Sequence, residues 1–342
     1  MSADFTCRIC GSNAHRRTLT VREMMFGTRE EFAYDECDAC DGLQIREIPS
    51  DLSRFYPANY YSFSQGGESL SRKRRIVLKL RRVQRRAREA GMGVVADLIE
   101  RRFGPLDDPE LLREHRPRAM DRILDVGCGA GVLLRELRDA GFSRLQGVDP
   151  YIQAPLSFSG GVTIAKAQLN ELQGQFDLIM LHHVFEHLPD PLETLRDARR
   201  LLAPNGRLLL RFPSSPCEAL DMYGADWVQL DAPRHLHIVS RAGLARLAVK
   251  ADLQLVSWAQ DSGPLQFWGS EQYQLDIPLF DARSYAQDTC AIPEARYREL
   301  EARAATLNAA GRGDQSVAVL AAATSSPTHA RTHDDDDDRI SG

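Results

Sequence analysis

An α/β fold with a doubly wound, mostly parallel sheet of seven strands is what this sequence predicts, and three observations predict it. From Arg122 onward, short aliphatic runs alternate with segments of helical period. That is the pattern of parallel strands joined by helices that cover both faces of a sheet. A glycine-rich turn, Gly127-Cys128-Gly129-Ala130-Gly131, joins the first of these strands to the first helix. Ahead of them, two C-x2-C pairs mark a small N-terminal module.

Each element has its own signal. RILDV at 122–126 reads as a strand, 130–140 as a helix closed by Gly141, and RLQGVD at 144–149 as the second strand. GVTIA and FDLIML are the third and fourth. Asp190-Pro191-x-Glu193 then starts a helix, with Asp190 as cap, proline at the first helical position and Glu193 closing the reciprocal cap. Leu192, Leu195, Ala198, Leu201 and Leu202 give that helix its buried face. Asn205-Gly206 is a turn into RLLLRF, the fifth strand. SRAGLARLAVKA is a helix, LQLVSWA a strand, and SVAVLAAA the last strand. Residues 1–67 form the cysteine module and an aromatic linker. Residues 68–118 form a basic helical connector. Residues 119–323 form the main domain, with an insertion at 262–314, and 324–342 an acidic tail too polar to fold.

Composition excludes several classes. Of 342 residues, 43% are hydrophobic and 27% charged, as in a soluble globular chain. No apolar run approaches the ~18 residues of a membrane span. MSADFTCRIC has no apolar signal region, so a cytoplasmic chain is expected. Formal charge is 43 − 48 = −5, and Asp334 to Asp338 supply five of those acids. The remainder balances at zero, which disfavours a generic, strongly basic nucleic-acid binder.

Seven cysteines without an export signal argue against a disulfide scaffold. Cys7-x2-Cys10 and Cys37-x2-Cys40 are followed closely by Gly11 and Gly42, turns that let backbone N–H groups point at sulfur. Four thiolates suit tetrahedral zinc and leave no open position for catalysis. The expected role is a structural staple for a module with little core of its own. Cys128, Cys217 and Cys290 read as packing residues.

The glycine turn brings backbone close to a ligand at a helix start, where free N–H donors lie. Asp149 ends the next strand and can accept from both hydroxyls of a ribose. Position 132, where a dinucleotide site would carry its third glycine, is valine. Asp125, before the loop, suits a ligand with an ammonium and no phosphate.

With LDVGCGAG, GVDP, FDLIMLHHVFEHLPDP and LLAPNGRLLLRFP in this order, residues 120–260 resemble the class I S-adenosylmethionine (SAM)-dependent methyltransferases. The resemblance implies that Gly127, Cys128 and Gly129 line the methionine part of SAM, with Asp125 near its amino group. Asp149 would hold the ribose, Gln168 the adenine, and His182 would face the cofactor beside the transferred methyl. One departure stands out: eleven residues separate Asp149 from Gly161, so the usual second helix is short or missing. The whole chain also resembles a narrower group with an N-terminal four-cysteine zinc module, a segment like RFYPANYYSF and a later one like DWVQLDAPRHLHIVS. Antibiotic-sugar C-methyltransferases and enzymes encoded with surface-polysaccharide genes have this arrangement. It implies a sugar, glycan or nucleotide-sugar acceptor.

Methyl transfer from a sulfonium needs an aligned nucleophile and a base for its proton. His235, in Asp231-Ala-Pro-Arg-His-Leu-His237, is the first candidate base, against the alternative of a histidine packing its loop on the sheet. His183 and Tyr223 are the next catalytic candidates. Arg234 is a candidate phosphate or carboxylate grip. Tyr223 and Trp227 are candidates for stacking on a sugar or for lid packing. His183-x-x-Glu186-His187 has metal-like spacing, but His187 reads first as structural.

Residues 72–88 hold ten Lys or Arg and no acid, with Ile76, Leu80, Val83 and Ala87 on one helical face. That stripe would pack on the sheet domain, lie on an anionic inner-membrane surface under a lipid-linked glycan, or face RNA phosphates. The sequence therefore predicts a SAM-dependent methyltransferase of a sugar or glycan. Its rivals are an RNA methyltransferase, marked by salt-dependent substrate binding, and a non-catalytic assembly protein, marked by failure to bind SAM.

Overall fold

The computed structural model describes residues 5–56, 72–106, 112, 114–287 and 292–323. The expectations for the aromatic linker beyond 56, for Cys290 and for the acidic tail lie outside the described residues.

The N-terminal module is a meander of β1 (His15–Arg22), β2 (Glu31–Cys37) and β3 (Leu43–Ile45), all antiparallel. Two helices follow, α1 (Arg72–Glu89) and α2 (Gly93–Phe103). The main domain then runs β4 (Arg122–Val126), α3 (Val132–Asp139), β5 (Arg144–Val148), β6 (Leu156–Phe158), β7 (Val162–Ala165) and β8 (Phe176–His182). It continues α4 (Pro191–Leu201), β9 (Leu202–Pro213), α5 (Glu218–Tyr223), β10 (His237–Ile238), α6 (Arg241–Lys250) and β11 (Leu253–Gln260). The 262–314 segment supplies α7 (Leu265–Gln274) and α8 (Glu294–Ala309) before the closing strand β12 (Gln315–Ala322).

The main sheet has the order β11-β12-β9-β8-β4-β5-β7-β6. β7, β5, β4, β8 and β9 are parallel, and β12 runs antiparallel between β9 and β11. The doubly wound, mostly parallel sheet is thus as predicted, but it has eight strands where seven were expected. The extra one is β6, and its cause lies in Gly160 and Gly161. Both have positive φ, +93° and +85°, a region open to glycine at little cost. They fold Leu156–Phe158 back against β7, where Phe158 faces Val162. A short edge hairpin therefore occupies the place of the missing second helix.

Both faces of the sheet are buried, which explains why its strands read as continuous apolar runs. Leu124, Ile179, Leu181, Leu208 and Leu210 face one layer. Ile123, Leu145, Leu178, Met180 and Leu209 face the other. α4 begins with the predicted Asp190 cap, its carboxylate accepting from the N–H groups of Leu192 (3.0 Å) and Glu193 (2.9 Å), but the reciprocal cap is not formed: the Glu193 carboxylate pairs with Arg196 instead.

One expectation changes. On α1, Ile76 and Val83 are 52% and 48% exposed, while Leu78, Gln84, Arg85 and Ala87 are buried. Arginines dock this helix. The Arg85 guanidinium lies 4.0 Å from the Phe142 ring centroid and donates to the Ala140 carbonyl at 2.9 Å. Arg82 donates to the Gly160 carbonyl, and Arg74 pairs with Asp139. Long arginine stems supply the apolar contact while their heads reach carbonyls. The cysteine module, in turn, shares a core with the main domain: Cys7, Ile9, Cys37 and Cys40 pack in one cluster with Phe185, Phe212 and Leu244. Its sheet is completed by β10, giving the order β1-β2-β3-β10.

Candidate active site

β4, β5 and β7 succeed one another toward one edge, and β8 and β9 toward the other. The switch falls between β4 and β8, where open parallel sheets place their ligands. Gly127, Gly129 and Gly131 all have positive φ there. A Cβ on Gly127 would lie 2.5 Å from Val184, so only glycine fits between the loop and the chain after β8. The Asp149 carboxylate accepts from the N–H of Gly129 at 2.9 Å and of Tyr151 at 2.8 Å. It ties the loop to the end of β5 and keeps further lone pairs for a ligand. The Cys128 thiol sits in the same loop, pushed up by burial and by Asp125. Gln168 is exposed beyond the end of β7, its N–H held by Glu171 at 2.6 Å.

Asp125 is 3% exposed, and among the described residues no hydrogen bond reaches its carboxyl group. Burial, with Asp149 nearby, pushes that group up to about 8. A buried acid without a partner, beside glycines that leave room for a ligand, fits a cofactor bearing an ammonium and a ribose. Asp149→Ala is expected to weaken SAM binding by ~1–3 kcal/mol, the scale of charge-assisted hydrogen bonds. Unchanged affinity by calorimetry would mean the site is misplaced.

His182 ends β8, and His183 follows it. Arg211 of β9 donates to Nε2 of both at 2.9 Å, while its own Nε holds Asp261 at 2.6 Å. Burial, His183 and Arg211 push His182 down to about 3, so its ring is neutral. His183 donates to Glu186 from Nδ1 at 3.2 Å, and Arg211 occupies its other nitrogen.

Glu186 is the hub of the site. It is 1% exposed, and its Oε2 has no partner among the described residues. Burial opposes its charge, but the His183 hydrogen bond and the imidazoles of His187 and His235 outweigh it and hold the carboxyl down to about 2. Glu186, His187 and His235 each bring one ligand-type atom within 4.8 Å of the others. The His187 and His235 rings meet edge-on, centroids 4.7 Å apart. Nδ1 of His235 donates to the Gln229 carbonyl at 2.7 Å, and Nδ1 of His187 to the Arg234 carbonyl at 2.9 Å. The Nε2 lone pair of His235 is thereby free, 3.9 Å from Glu186 and 3.8 Å from Asp231.

Other candidates lie elsewhere or act otherwise. Tyr223 packs among Trp227 and Phe267, its hydroxyl 3.5 Å from Glu271. Trp227 is fully buried and donates to Asp314 at 3.1 Å, which makes it a core residue with no face for a sugar. Arg234 is also fully buried, bonded to Asp231 at 2.6 Å and Glu23 at 2.9 Å, so it is no grip for an external phosphate. Arg211 was missed by sequence reasoning, although the carboxyl end of a parallel strand is where such a residue should be sought.

In the knuckle, Cys7 and Cys40 sulfurs are 3.7 Å apart and Cys10 and Cys37 sulfurs 3.6 Å, with all four within 4.8 Å. Disulfides are far shorter, at ~2.05 Å. The edge of a zinc–thiolate tetrahedron with ~2.3 Å bonds is about 3.8 Å. Backbone N–H groups of Ile9 and Cys10 point at Cys7, those of Ala39 and Cys40 at Cys37, and that of Gly42 at Cys40. The four residues fit a structural zinc. Metal analysis of purified protein is expected to give about one zinc per chain; none, in protein never exposed to chelator, would remove that assignment.

The strand order and this site define a class I SAM-dependent methyltransferase domain. Residues 83–258 match the family described as "Methyltransferase domain", and the chain belongs to it. The ubiquinone biosynthesis O-methyltransferase of Pseudomonas paraeruginosa is 30% identical over 185 residues, covering 48% of this chain and 75% of that one. The protein of the same description from Xanthomonas oryzae pv. oryzae is 31% identical over 156 residues, covering 39% and 63%. Among solved structures, the complex of the Haloferax volcanii Trm112 methyltransferase activator with a methyltransferase aligns at TM-score 0.42 and 20% identity, covering 63% of this chain and 86% of that one.

Proposed function

We propose that the chain transfers the methyl group of SAM to a hydroxyl of a sugar, glycan or nucleotide-sugar acceptor, with His235 taking the proton. The cofactor supplies an electrophilic methyl on a sulfonium. Asp125, the glycine loop and Asp149 would hold it, with Gln168 toward the adenine and His182 toward the methyl. The observation that carries the reading is the free Nε2 of His235, set between the carboxylates of Glu186 and Asp231. The loop carrying that histidine is joined to the cysteine module, in keeping with the module-bearing sugar methyltransferases that the sequence resembles.

α1 adds an acceptor class. Lys73, Arg75, Lys79 and Arg86 are exposed around Ile76 and Val83, a surface suited to anionic lipid and thus to a lipid-linked acceptor. No helix among the described residues is long and apolar enough to cross a membrane. A second reading follows from the relatives' description, O-methyl transfer in ubiquinone biosynthesis, although those matches cover less than half of this chain. Labelled SAM offered with nucleotide sugars, lipid-linked sugars and hydroxylated quinols separates the two. Label in a sugar supports the first reading, and label only in a quinol overturns it.

A further inference from the structure

The histidine loop is held mainly by the cysteine module, with two ties to the main domain: the Leu236 N–H donates to the Glu186 carbonyl at 2.8 Å, and Val239 bridges to Ser214. Tyr34 of β2, fully buried, donates from its hydroxyl to the His235 carbonyl at 2.7 Å. The Ile45 N–H donates to the Leu236 carbonyl at 3.0 Å. His237 and Ile238 pair with Gln44 and Leu43 of β3. The Ser240 hydroxyl donates to the carbonyl of Cys40, a metal-type ligand of the knuckle. Gly42 lets the chains approach closely: a Cβ there would crowd the Ile9 side chain at 2.5 Å and the Ile238 carbonyl at 3.3 Å. Lys250, at the end of α6, donates to the Cys10 carbonyl at 3.2 Å.

The cofactor side has none of these ties. The glycine loop, Asp125 and Asp149 are fixed by β4, β5 and the chain after β8. One side of the site is therefore anchored in the parallel sheet alone, and the other chiefly in the knuckle.

We infer that the four-cysteine knuckle is a positioning device for the acceptor side of the active site. Metal held by Cys7, Cys10, Cys37 and Cys40 fixes β3, β3 fixes β10, and Tyr34 and Ser240 seat the loop that presents His235. Tyr34 is a positioning residue, acting through the His235 backbone. The knuckle thus has a second consequence beyond holding its own module together: loss of metal disorders the proton-accepting side and spares cofactor binding. The inference rests on the reading above that His235 serves the acceptor.

The reason for this selectivity is leverage. Four thiols, in two pairs 3.6–3.7 Å apart, have no strong bond between them without a metal. Their turns then loosen, and the Cys40 carbonyl and β3 move with them. β10 is two residues long, and beyond β3 it has only the single bridge from Val239 to Ser214, so it responds to β3 first. β4 and β5 are flanked on both sides by strands of the main sheet and do not.

Hydrogen exchange on the full chain, before and after zinc is stripped by chelator, tests this. Amides of 235–239 are expected to exchange at least about tenfold faster in stripped protein, with those of 123–126 and 145–148 within about twofold. In [15N]histidine spectra, His235 should lose its single Nδ1–H tautomer. S-adenosylhomocysteine should bind both forms with affinities within about threefold. Unchanged exchange at 235–239 overturns the inference. So does equal loosening of both regions, since the knuckle would then serve general stability, and so does purified protein without metal. Tyr34→Phe keeps the ring and loses one hydrogen bond. With zinc retained, it should loosen 235–239 several-fold, and no change there removes Tyr34 from the route. If the parent itself fails to bind S-adenosylhomocysteine, the methyltransferase site is misassigned, while the exchange result still decides the coupling.

Discussion

His235→Ala is expected to lower turnover by roughly 10²–10⁴, the range for loss of a general base, with SAM affinity within about twofold of the parent. The separation follows from the two anchorages of the site. The residues proposed to hold the cofactor lie at the ends of β4, β5 and β8, whereas His235 sits on the loop before β10. Its neighbours make it the strongest base candidate. Hydrogen bonding of Nδ1 to the Gln229 carbonyl fixes the tautomer and frees Nε2. A proton taken there meets two anionic carboxylates, Glu186 held down to about 2 and Asp231 held below the ordinary range. Burial opposes the Asp231 charge, but Arg234 and His235 outweigh it. His187 does not compete, because burial and His235 push it down to about 4. His183 is engaged at both ring nitrogens, by Glu186 and Arg211. Single-turnover rates on whichever acceptor takes up the label, with calorimetry on SAM as control, decide the matter. Near-parent activity in the mutant would remove His235 from the mechanism.

Much of this site was written locally. The strands of the main sheet are buried on both faces and read as apolar runs. The Asp190-Pro191 helix start, the glycine loop and the C-x2-C pairs each depend on residues within a few positions of one another, so their spacing exposes them. What joins them does not. Tyr34 and the His235 carbonyl are 201 residues apart, and Arg234 and Glu23 are 211 apart. A buried tyrosine in a short strand carries no mark of the distant carbonyl that it serves. The arginine of an Asp-Ala-Pro-Arg-His segment looks like an anion grip until Glu23 is seen against it. α1 misled for a different reason. Its apolar stripe was genuine in sequence, but the surface offered by α3 and its flanking turn presents carbonyls and the Phe142 ring, which arginine fits better than isoleucine or valine. The β6 hairpin was hidden because three residues are too few to show a period.

Asp125→Asn is expected to raise the stability of cofactor-free protein and to weaken SAM binding in the same variant. Burial, with Asp149 second, pushes the Asp125 carboxyl from its ordinary value of 3.8 up to about 8. Between those values the folded chain keeps a proton that the unfolded chain releases. Stability contributed by this group is therefore fully present below about pH 4, falls as pH rises through the window, and is gone above about pH 8. An amide fills the same space without titrating. The gain from the substitution should be small at pH 5 and grow toward pH 8, to an order of 1–3 kcal/mol once relaxation is allowed for. SAM binding responds in the opposite sense. The carboxylate that is costly in the empty site meets the cofactor's ammonium, and its loss removes a charge-assisted hydrogen bond of about 1.5–3 kcal/mol, or roughly 10- to 150-fold in affinity. Thermal melts of parent and variant at pH 5 and pH 8, with calorimetry on SAM, read both effects. A melting gap that does not widen with pH would mean Asp125 is already ionised in the empty site. Parental SAM affinity would mean the ammonium lies elsewhere. Both expected effects together would show a cofactor site held at the expense of fold stability, relieved only when the ligand binds.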